Sequence, residues 1–292
     1  MVALKEGLRS ELVGLELTCK VELLCIGNEL LIGKTLNTNA QWLSERITKL
    51  GGDVTRITVV GDNIKAISSA IREVSERKPD VVITSGGLGP TFDDKTLQSF
   101  SNIFKKPLRI DQNALRLVRS RYSKILRKQD LQLTRPRLKM AMLPVGARAI
   151  PNLVGTAPGV TLTEGETRFI ILPGVPAELQ SIFENSFTRL IKKIAGRQHF
   201  SEASIVVYGL LESQVAPMID QVMAAIPEVY IKSHAKGGEG RVEGFIELHF
   251  SMKGTERRTV RHRIMRAITM MSELLGRSRP PTQQPAQKRI FK

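Results

Sequence analysis

The sequence predicts an α/β fold, a mostly parallel sheet sandwiched by helices and followed by a small α+β domain. Three observations carry that expectation. Strand-length apolar runs and helix-period stretches alternate through the first two thirds of the chain. The strand runs open into loops rich in Gly, Asn, Asp and Glu. After Gly196 the pattern changes to strand, helix, strand, strand, helix. Alternating β-α units close into a parallel sheet with right-handed crossovers, and ligands of such sheets sit beyond the carboxyl ends of the strands.

The first strand is KVELLCIG, Lys20–Gly27. Asn37, Thr38 and Asn39 offer N-caps for a helix over Ala40–Leu50, with Trp42, Leu43, Ile47 and Leu50 at helical spacing, and Gly51-Gly52 stops it. VTRITVV, Val54–Val60, is the second strand. Asp62 is placed to cap a helix running to Lys78, with the stripe Ile64, Ile67, Ile71 and Val74, and Pro79 closes it. VVIT, Val81–Thr84, is the third strand, followed by GGLGPTFDD and a helix from about Lys95. Helices are expected over Asp111–Lys128 and Arg135–Ala141, then two strands around Glu164-Gly165-Glu166 and a helix over Ala177–Ile194. The second domain reads as strand Ala203–Tyr208, helix Glu212–Ala225, strands Glu228–Lys232 and Gly244–Ser251, and helix Glu256–Leu275. The domain plan is an extension over 1–19, an α/β domain over 20–196, an α+β domain over 197–275 and a disordered basic tail over 276–292.

Composition narrows the class of protein. Of 292 residues, 41% are apolar, 25% charged and 5% aromatic, a balance suited to an aliphatic core. No run reaches the ~18 apolar residues of a membrane span, and the mixed acids and bases of the first dozen residues exclude a secretory signal. A cytoplasmic location without membrane association is expected. Cys19 and Cys25 fall on one face of the first strand and read as packing residues, so neither a disulfide framework, nor zinc, nor haem is expected. The net charge is +16, and from Lys253 onward eleven Lys or Arg face two Glu. That bias is open to two readings, a solvated helix face with a basic tail or a surface that attracts nucleic acid.

Three loops converge where a ligand would sit: Gly27–Asn39, Val60–Asn63 and Ser85–Asp94. Gly86, Gly87 and Gly89 can adopt positive φ and turn backbone amides into a concavity ahead of a helix N-terminus. The stretch is neither a Walker A loop nor GxGxxG, and a glycine turn is also an ordinary tight connection. Asp93 and Asp94 are N-cap candidates. Beside an anion they would repel it unless a divalent cation such as Mg²⁺ joined them to its phosphate oxygens. Asp62 fits either a cap or a second acid. Glu29, Asn37, Thr38 and Asn39 suit either hydrogen bonds to a ribose, purine or pterin edge or plain capping.

GNELLIGKTLNTNAQWLSERITKLGGDV, TVVGDN, ITSGGLGPTFDDKT, NLVGTAPGV and LPGVPAEL, in this order from about Lys20 to Leu179, resemble the CinA family of competence/damage-inducible proteins. The N-terminal part of that family is a molybdopterin-binding (MoCF biosynthesis) domain shared with molybdopterin adenylyltransferases. Phe92 and Lys95 bring the glycine loop nearer the archaeal form. Asn28 stands where the family usually has Thr or Asp. GLLESQV (Gly209–Val215) and PEVYIKSHAKGGEG resemble the KH-type domain that follows in these proteins, although Gly237 and Gly240 lie between two strands and not between two helices. The C-terminal amidase domain of many bacterial members is missing, so deamidation of nicotinamide mononucleotide is not expected.

The resemblance implies a site for a nucleotide or pterin pyrophosphate, assisted by Mg²⁺ or another divalent cation. Asp94 and Asp62 match the functional acids, as catalytic and metal-holding groups, and Gly86, Gly87 and Gly89 match the phosphate cradle. Glu29, Asn37 and Asn39 match first-loop contacts, and Asn152, Gly155 and Pro158 match a later turn. Lys95 either neutralises charge or is a solvated first-turn lysine. The first expectation is a metal-dependent nucleotide pyrophosphatase acting on ADP-ribose or FAD, in a homo-oligomer. The alternatives are molybdopterin binding or adenylylation, and nucleic-acid association through the basic last helix and tail.

Overall fold

The structure, a computed structural model, describes residues 19–127, 131–236, 244–277 and 288–289 of the chain. It divides into two compact units, the first running to Gly196 without Lys49–Gly51, the second made of Lys49–Gly51 and the chain from Arg197.

In chain order the first unit contains β1 (Lys20–Ile26), α1 (Asn28–Leu31), α2 (Thr38–Lys49), β2 (Asp53–Val60), α3 (Ile64–Arg77) and β3 (Val81–Ser85). It continues with α4 (Thr96–Phe104), β4 (Leu108–Ile110), α5 (Gln112–Leu126), α6 (Arg135–Lys139), β5 (Met142–Pro144) and β6 (Arg148–Ile150). β7 (Gly159–Glu164), β8 (Thr167–Leu172), α7 (Pro176–Ser186) and α8 (Thr188–Ala195) complete it. Six strands form one sheet in the order β2-β1-β3-β8-β7-β6. β2, β1, β3 and β8 are parallel, and β7 and β6 extend the sheet in antiparallel fashion. The chain leaves β1 for β2 on one side and β3 on the other, which makes the carboxyl ends of β1 and β3 the topological switch point.

Both faces are covered, as the nearly unbroken burial of β1 and β3 requires. On one face Leu24, Ile26, Val82, Phe169 and Ile171 meet Ile67, Ile71 and Val74 of α3, Phe100 of α4 and Val118 of α5. Alternation sends Leu23, Cys25, Ile83, Ile170 and Leu172 to the other face. Buried Leu43 and Ile47 of α2 and Leu179, Ile182 and Phe183 of α7 line the helical layer, where Trp42 meets Phe183 edge-on at 5.6 Å. One buried charge interrupts the apolar pattern: Glu22 on β1 receives two hydrogen bonds from Arg77 at the end of α3, at 2.7 and 2.8 Å.

The expected strands and helices fall close to their positions, with four differences. The helix expected over Ala177–Ile194 is two helices that break at Phe187, where φ is −119°. The break keeps the Phe187 ring buried and lets α8 turn Ile191 and Ala195 inward. α3 is capped by Asn63, which accepts the Ala66 amide at 2.8 Å, so Asp62 is free for another contact. The strand expected from Glu228 begins at Tyr230, and Glu228 instead pairs with Arg263. β4, β5, β6 and α1 are each three or four residues long, too short to show a period.

The second unit is β9 (His199–Tyr208), α9 (Glu212–Ala225), β10 (Tyr230–Lys236), β11 (Phe245–Gly254), α10 (Arg257–Arg277) and β12 (Lys288–Arg289), with an antiparallel sheet ordered β10-β11-β9-β12. Its own core joins Ile205, Val207, Leu248 and Phe250 to Val215 and Val222 of α9 and to Val260, Ile264, Ile268 and Met271 of α10. Gly237 and Gly240, residues 1–18 of the extension, and residues 278–287 and 290–292 of the tail lie outside the described residues, whereas Gly276 and Arg277 complete α10.

Candidate functional site

The carboxyl ends of β1, β2, β3 and β8 are tied together by backbone contacts that leave no room for side chains. The Gly86 amide donates to the Leu172 carbonyl at 3.0 Å, and a Cβ at Gly86 would lie 2.1 Å from the Ile26 carbonyl oxygen. Gly86 also has φ +109°, which only glycine adopts without strain. Gly87 (φ +69°) turns the chain against Thr96, whose hydroxyl donates to the Gly86 carbonyl at 2.8 Å. The amides of Gly87, Leu88 and Gly89 make no hydrogen bond among the described residues. Three consecutive unbonded N–H groups ahead of α4 are donors available to an anion.

Asp94 folds back over this turn. Its Oδ2 accepts the Thr91 amide at 2.8 Å and lies near the Thr91 hydroxyl at 2.6 Å. The same hydroxyl also contacts Asp93. One hydroxyl proton cannot serve both acids, so the cluster holds more negative charge than Thr91 can satisfy. Lys139, the last residue of α6, donates to the Thr91 carbonyl and sets its ammonium in the field of both carboxylates. Burial lowers the Lys139 pKa below the ordinary lysine value, against the opposing pull of Asp94 and Asp93. The hydrogen bond from Thr91 holds the exposed Asp93 carboxyl below its usual range. Lys95 precedes α4, with its Nζ 6.0 Å from the centroid of the Phe92 ring.

The first two loops are bound to each other. Asp62 accepts the Asn28 amide at 2.7 Å, and Asn28 Oδ1 accepts the Asp62 amide at 3.3 Å. Glu29 folds over Gly27, where a Cβ would come within 2.4 Å of its Oε1. Asn37 caps α2 by accepting the Ala40 amide at 3.1 Å, and its side chain also reaches Cys25. Burial raises the thiol pKa of Cys25, while hydrogen bonds from Asn37 and Ser85 act against the rise. Cys19 and Cys25 are both buried, and neither is in a disulfide among the described residues. Asn39 donates to the Gly174 carbonyl at 2.7 Å, and a Cβ at Gly174 would lie 3.5 Å from Gly86 Cα. Asn39 is 9% exposed, and its Oδ1 is buried without a partner. The structure thus joins Asn39 to the glycine loop and leaves it one unsatisfied acceptor.

The later turn is self-contained. Buried Asn152 donates to the Ala157 carbonyl at 2.8 Å and to Glu178 at 2.5 Å, and it accepts the amides of Val154 and Gly155 at 3.0 and 2.8 Å. All four hydrogen-bonding positions of its amide are used, so Asn152 shapes the turn from within. Glu178 packs over Gly155, where a Cβ would sit 2.0 Å from the carboxylate and displace it. Arg121 of α5 holds the Gly155 carbonyl at 2.7 Å and that of Val154, and Pro158 is buried just before β7. Lys139, Glu178 and Arg121 escape sequence reasoning because each reaches its loop from a distant helix, and no spacing along the chain announces it.

Around these loops the surface is apolar. Leu31, Ile32, Leu36, Phe92, Leu153, Val154 and Val175 are seven of the sixteen large apolar residues exposed among the described residues. Leu36 and Phe92 are 83% and 87% exposed. Among the described residues no group of three or more His, Cys, Asp or Glu is placed to hold a metal ion. The hard carboxylate oxygens of Asp94 and Asp93 nonetheless suit Mg²⁺, which is commonly held by one or two carboxylates together with substrate phosphates.

A mostly parallel sheet covered by helices, with its glycine loop at the switch point, is the fold of a molybdopterin-binding-type protein. The chain belongs to the family described as "Probable molybdopterin binding domain", which matches residues 22–193, and within it to the CinA family. A protein of Pyrobaculum arsenaticum is 44% identical over 217 residues, covering 74% of this chain and 80% of the relative. Another, of Caldivirga maquilingensis, is 40% identical over 247 residues, covering 84% and 93%. Among solved structures, the protein CinA of Thermoplasma acidophilum, of unknown function, is 40% identical with a TM-score of 0.54, covering 59% of this chain and 98% of that one. No described helix is long and apolar enough to cross a membrane.

Proposed function

We propose that the protein is a metal-dependent nucleotide pyrophosphatase that cleaves the diphosphate of a dinucleotide-like substrate such as ADP-ribose or FAD. The observation that carries this reading is the run of three unbonded amides at Gly87, Leu88 and Gly89 beside the carboxylates of Asp93 and Asp94. In this reading the amides bind one phosphate of the substrate. Asp94, with Asp93 beside it, would hold a divalent cation against the other phosphate oxygens. Bound there, the cation supplies Lewis-acid polarisation of the phosphoryl group. Asp94 turns its unbonded oxygen toward the attacking water, and Lys139 offsets the charge gathered on the loop. Asp62 keeps the first loop in place through Asn28, and its second oxygen is available to orient water. Phe92 and the other apolar rim residues cover the planar ring of the nucleotide.

Incubation with ADP-ribose and Mg²⁺ or Co²⁺ should release AMP, and Asp94→Ala should abolish the release. Absence of turnover with every dinucleotide tried would remove the proposal. The family description favours a second reading, in which the same loops bind molybdopterin. Pterin fluorescence that copurifies with the protein, or pterin-dependent consumption of ATP, would decide for it.

A further inference from the structure

The opposite end of the same sheet carries a cleft that the glycine loop does not explain. Arg168 is the second residue of β8, four residues and about 13 Å before Leu172 at the glycine-loop end. A cleft of about 510 Å³ lies beside it, lined by Arg148, Thr163, Arg168, Ser186, Phe187 and Leu190 among others.

The strand register places the two arginines together. Arg168 is opposite Thr163 on β7, and Arg148 is opposite Thr161, two residues earlier on the same strand. All four therefore project from one face of the hairpin. Two strand spacings and two residues of rise set the arginine Cα atoms about 12 Å apart, within joint reach of two extended side chains.

Neither guanidinium is satisfied among the described residues. Arg168 is half-buried on a strand flanked by β3 and β7, yet neither it nor Arg148 has an ion pair or side-chain hydrogen bond among the described residues. Two other arginines of the same unit are engaged by contrast: Arg77 grips Glu22, and Arg121 grips two carbonyls. Holding two like charges on one face, one of them partly desolvated, is unfavourable without a counter-ion. The cleft lining contains no carboxylate. The hydroxyls of Thr163 and Ser186 have no partner among the described residues and add two donors. Paired guanidiniums with hydroxyl donors match the geometry of a phosphate group. Phe187 and Leu190 supply an apolar wall for an organic substituent.

We propose that this cleft is a second anion site, which binds a phosphate monoester through Arg148 and Arg168 independently of the glycine loop. The proposal does not rest on the pyrophosphatase reading, because the second site is formed by β6, β7, β8 and the α7–α8 break alone.

Calorimetric titration of the full chain with AMP, and separately with inorganic phosphate, tests it at low salt and without divalent cations. The wild type should take up one AMP per chain more than the Arg148→Gln/Arg168→Gln double variant. Arg168→Lys, which keeps the charge and much of the volume, should melt like the wild type and bind that AMP about tenfold more weakly, because the bidentate fork is lost. Competition by inorganic phosphate would assign the binding to the phosphate group and support the site; AMP binding that inorganic phosphate does not displace would overturn the phosphate assignment. Identical titrations of wild type and double variant with both probes would overturn the site. So would a change of oligomeric state in the double variant, which would make the arginines an interface between copies.

Discussion

The Asp94 carboxylate lies against the backbone of Gly89, so close that a Cβ at that position would come within 2.6 Å of its Oδ2. The same oxygen holds the Thr91 amide. Gly89 is thus small for the sake of an acid, whereas Gly86 is small for the sake of the fold, pressed against the Ile26 carbonyl at positive φ. The two glycines should respond differently to alanine. Gly86→Ala should lower unfolding stability by roughly 3 kcal/mol, through strain and backbone collision. Gly89→Ala should cost only about 1 kcal/mol, since a side chain can swing aside, yet it should remove turnover by displacing Asp94. Denaturant unfolding and an AMP-release assay on the two variants separate the effects.

Asn152 and Glu178 offer a test of the later turn. Asn152→Asp replaces a donor to Glu178 with a second carboxylate in a buried site. The loss should be about 2–4 kcal/mol near neutral pH. Two acids this close raise the folded pKa of the pair above its unfolded value. Stability is then retained below the unfolded carboxylate pKa and lost as pH rises through the folded one, so the variant's deficit should shrink on acidification. A deficit that does not vary with pH would show that the carboxylates do not face each other.

The pairing of buried Glu22 with half-buried Arg77 predicts an asymmetry. Arg77→Met strands an ionised Glu22 inside the sheet and should cost about 3 kcal/mol. Arg77→Met combined with Glu22→Leu should recover most of that loss, because both polar groups are then gone. Thermal melts of the single and double variants check it.

Lys139 gives the pH signature of the loop. Its ammonium is depressed by burial, and Asp94 and Asp93 pull in the opposite sense. After reductive methylation with labelled formaldehyde, the Lys139 resonance should titrate below the other lysines. In Asp93→Asn/Asp94→Asn it should titrate lower still, since the two charges that favour the ammonium are removed. Because the folded pKa lies below the unfolded one, the charged lysine costs stability. That cost fades as pH rises from the folded pKa toward the ordinary lysine value.

The alternating elements of the first unit were legible because each strand from Lys20 to Ile83 is an apolar run closed by Gly, Asn or Asp, and each helix carries a stripe at helical spacing. The glycine loop was legible for the same reason, as a turn between two such signals. The reasons for its glycines were not, since the Ile26 carbonyl, the Thr96 hydroxyl and the Asp94 carboxylate become neighbours only when three strands align. Sequence reasoning supplied an external cation as the partner of Asp93 and Asp94. The structure adds an internal one, Lys139, from a five-residue helix with no period of its own. The break at Phe187 was hidden because the apolar stripe of α7 and α8 continues across it. Asn152 is a ligand-contact candidate by its motif, yet its amide is consumed by the turn it builds.

The central claim is that the diphosphate of the substrate binds the amides of Gly87, Leu88 and Gly89. The measurement that bears on it most directly is a titration of the ¹⁵N-labelled, deuterated protein with a non-hydrolysable ADP-ribose analogue and Mg²⁺, followed by amide resonances. Those three amides should shift downfield together and saturably, with Asp94→Ala abolishing the Mg²⁺ dependence of the shifts. Shifts confined to Arg148, Arg168 and their neighbours, with the three loop amides unmoved at saturation, would contradict it.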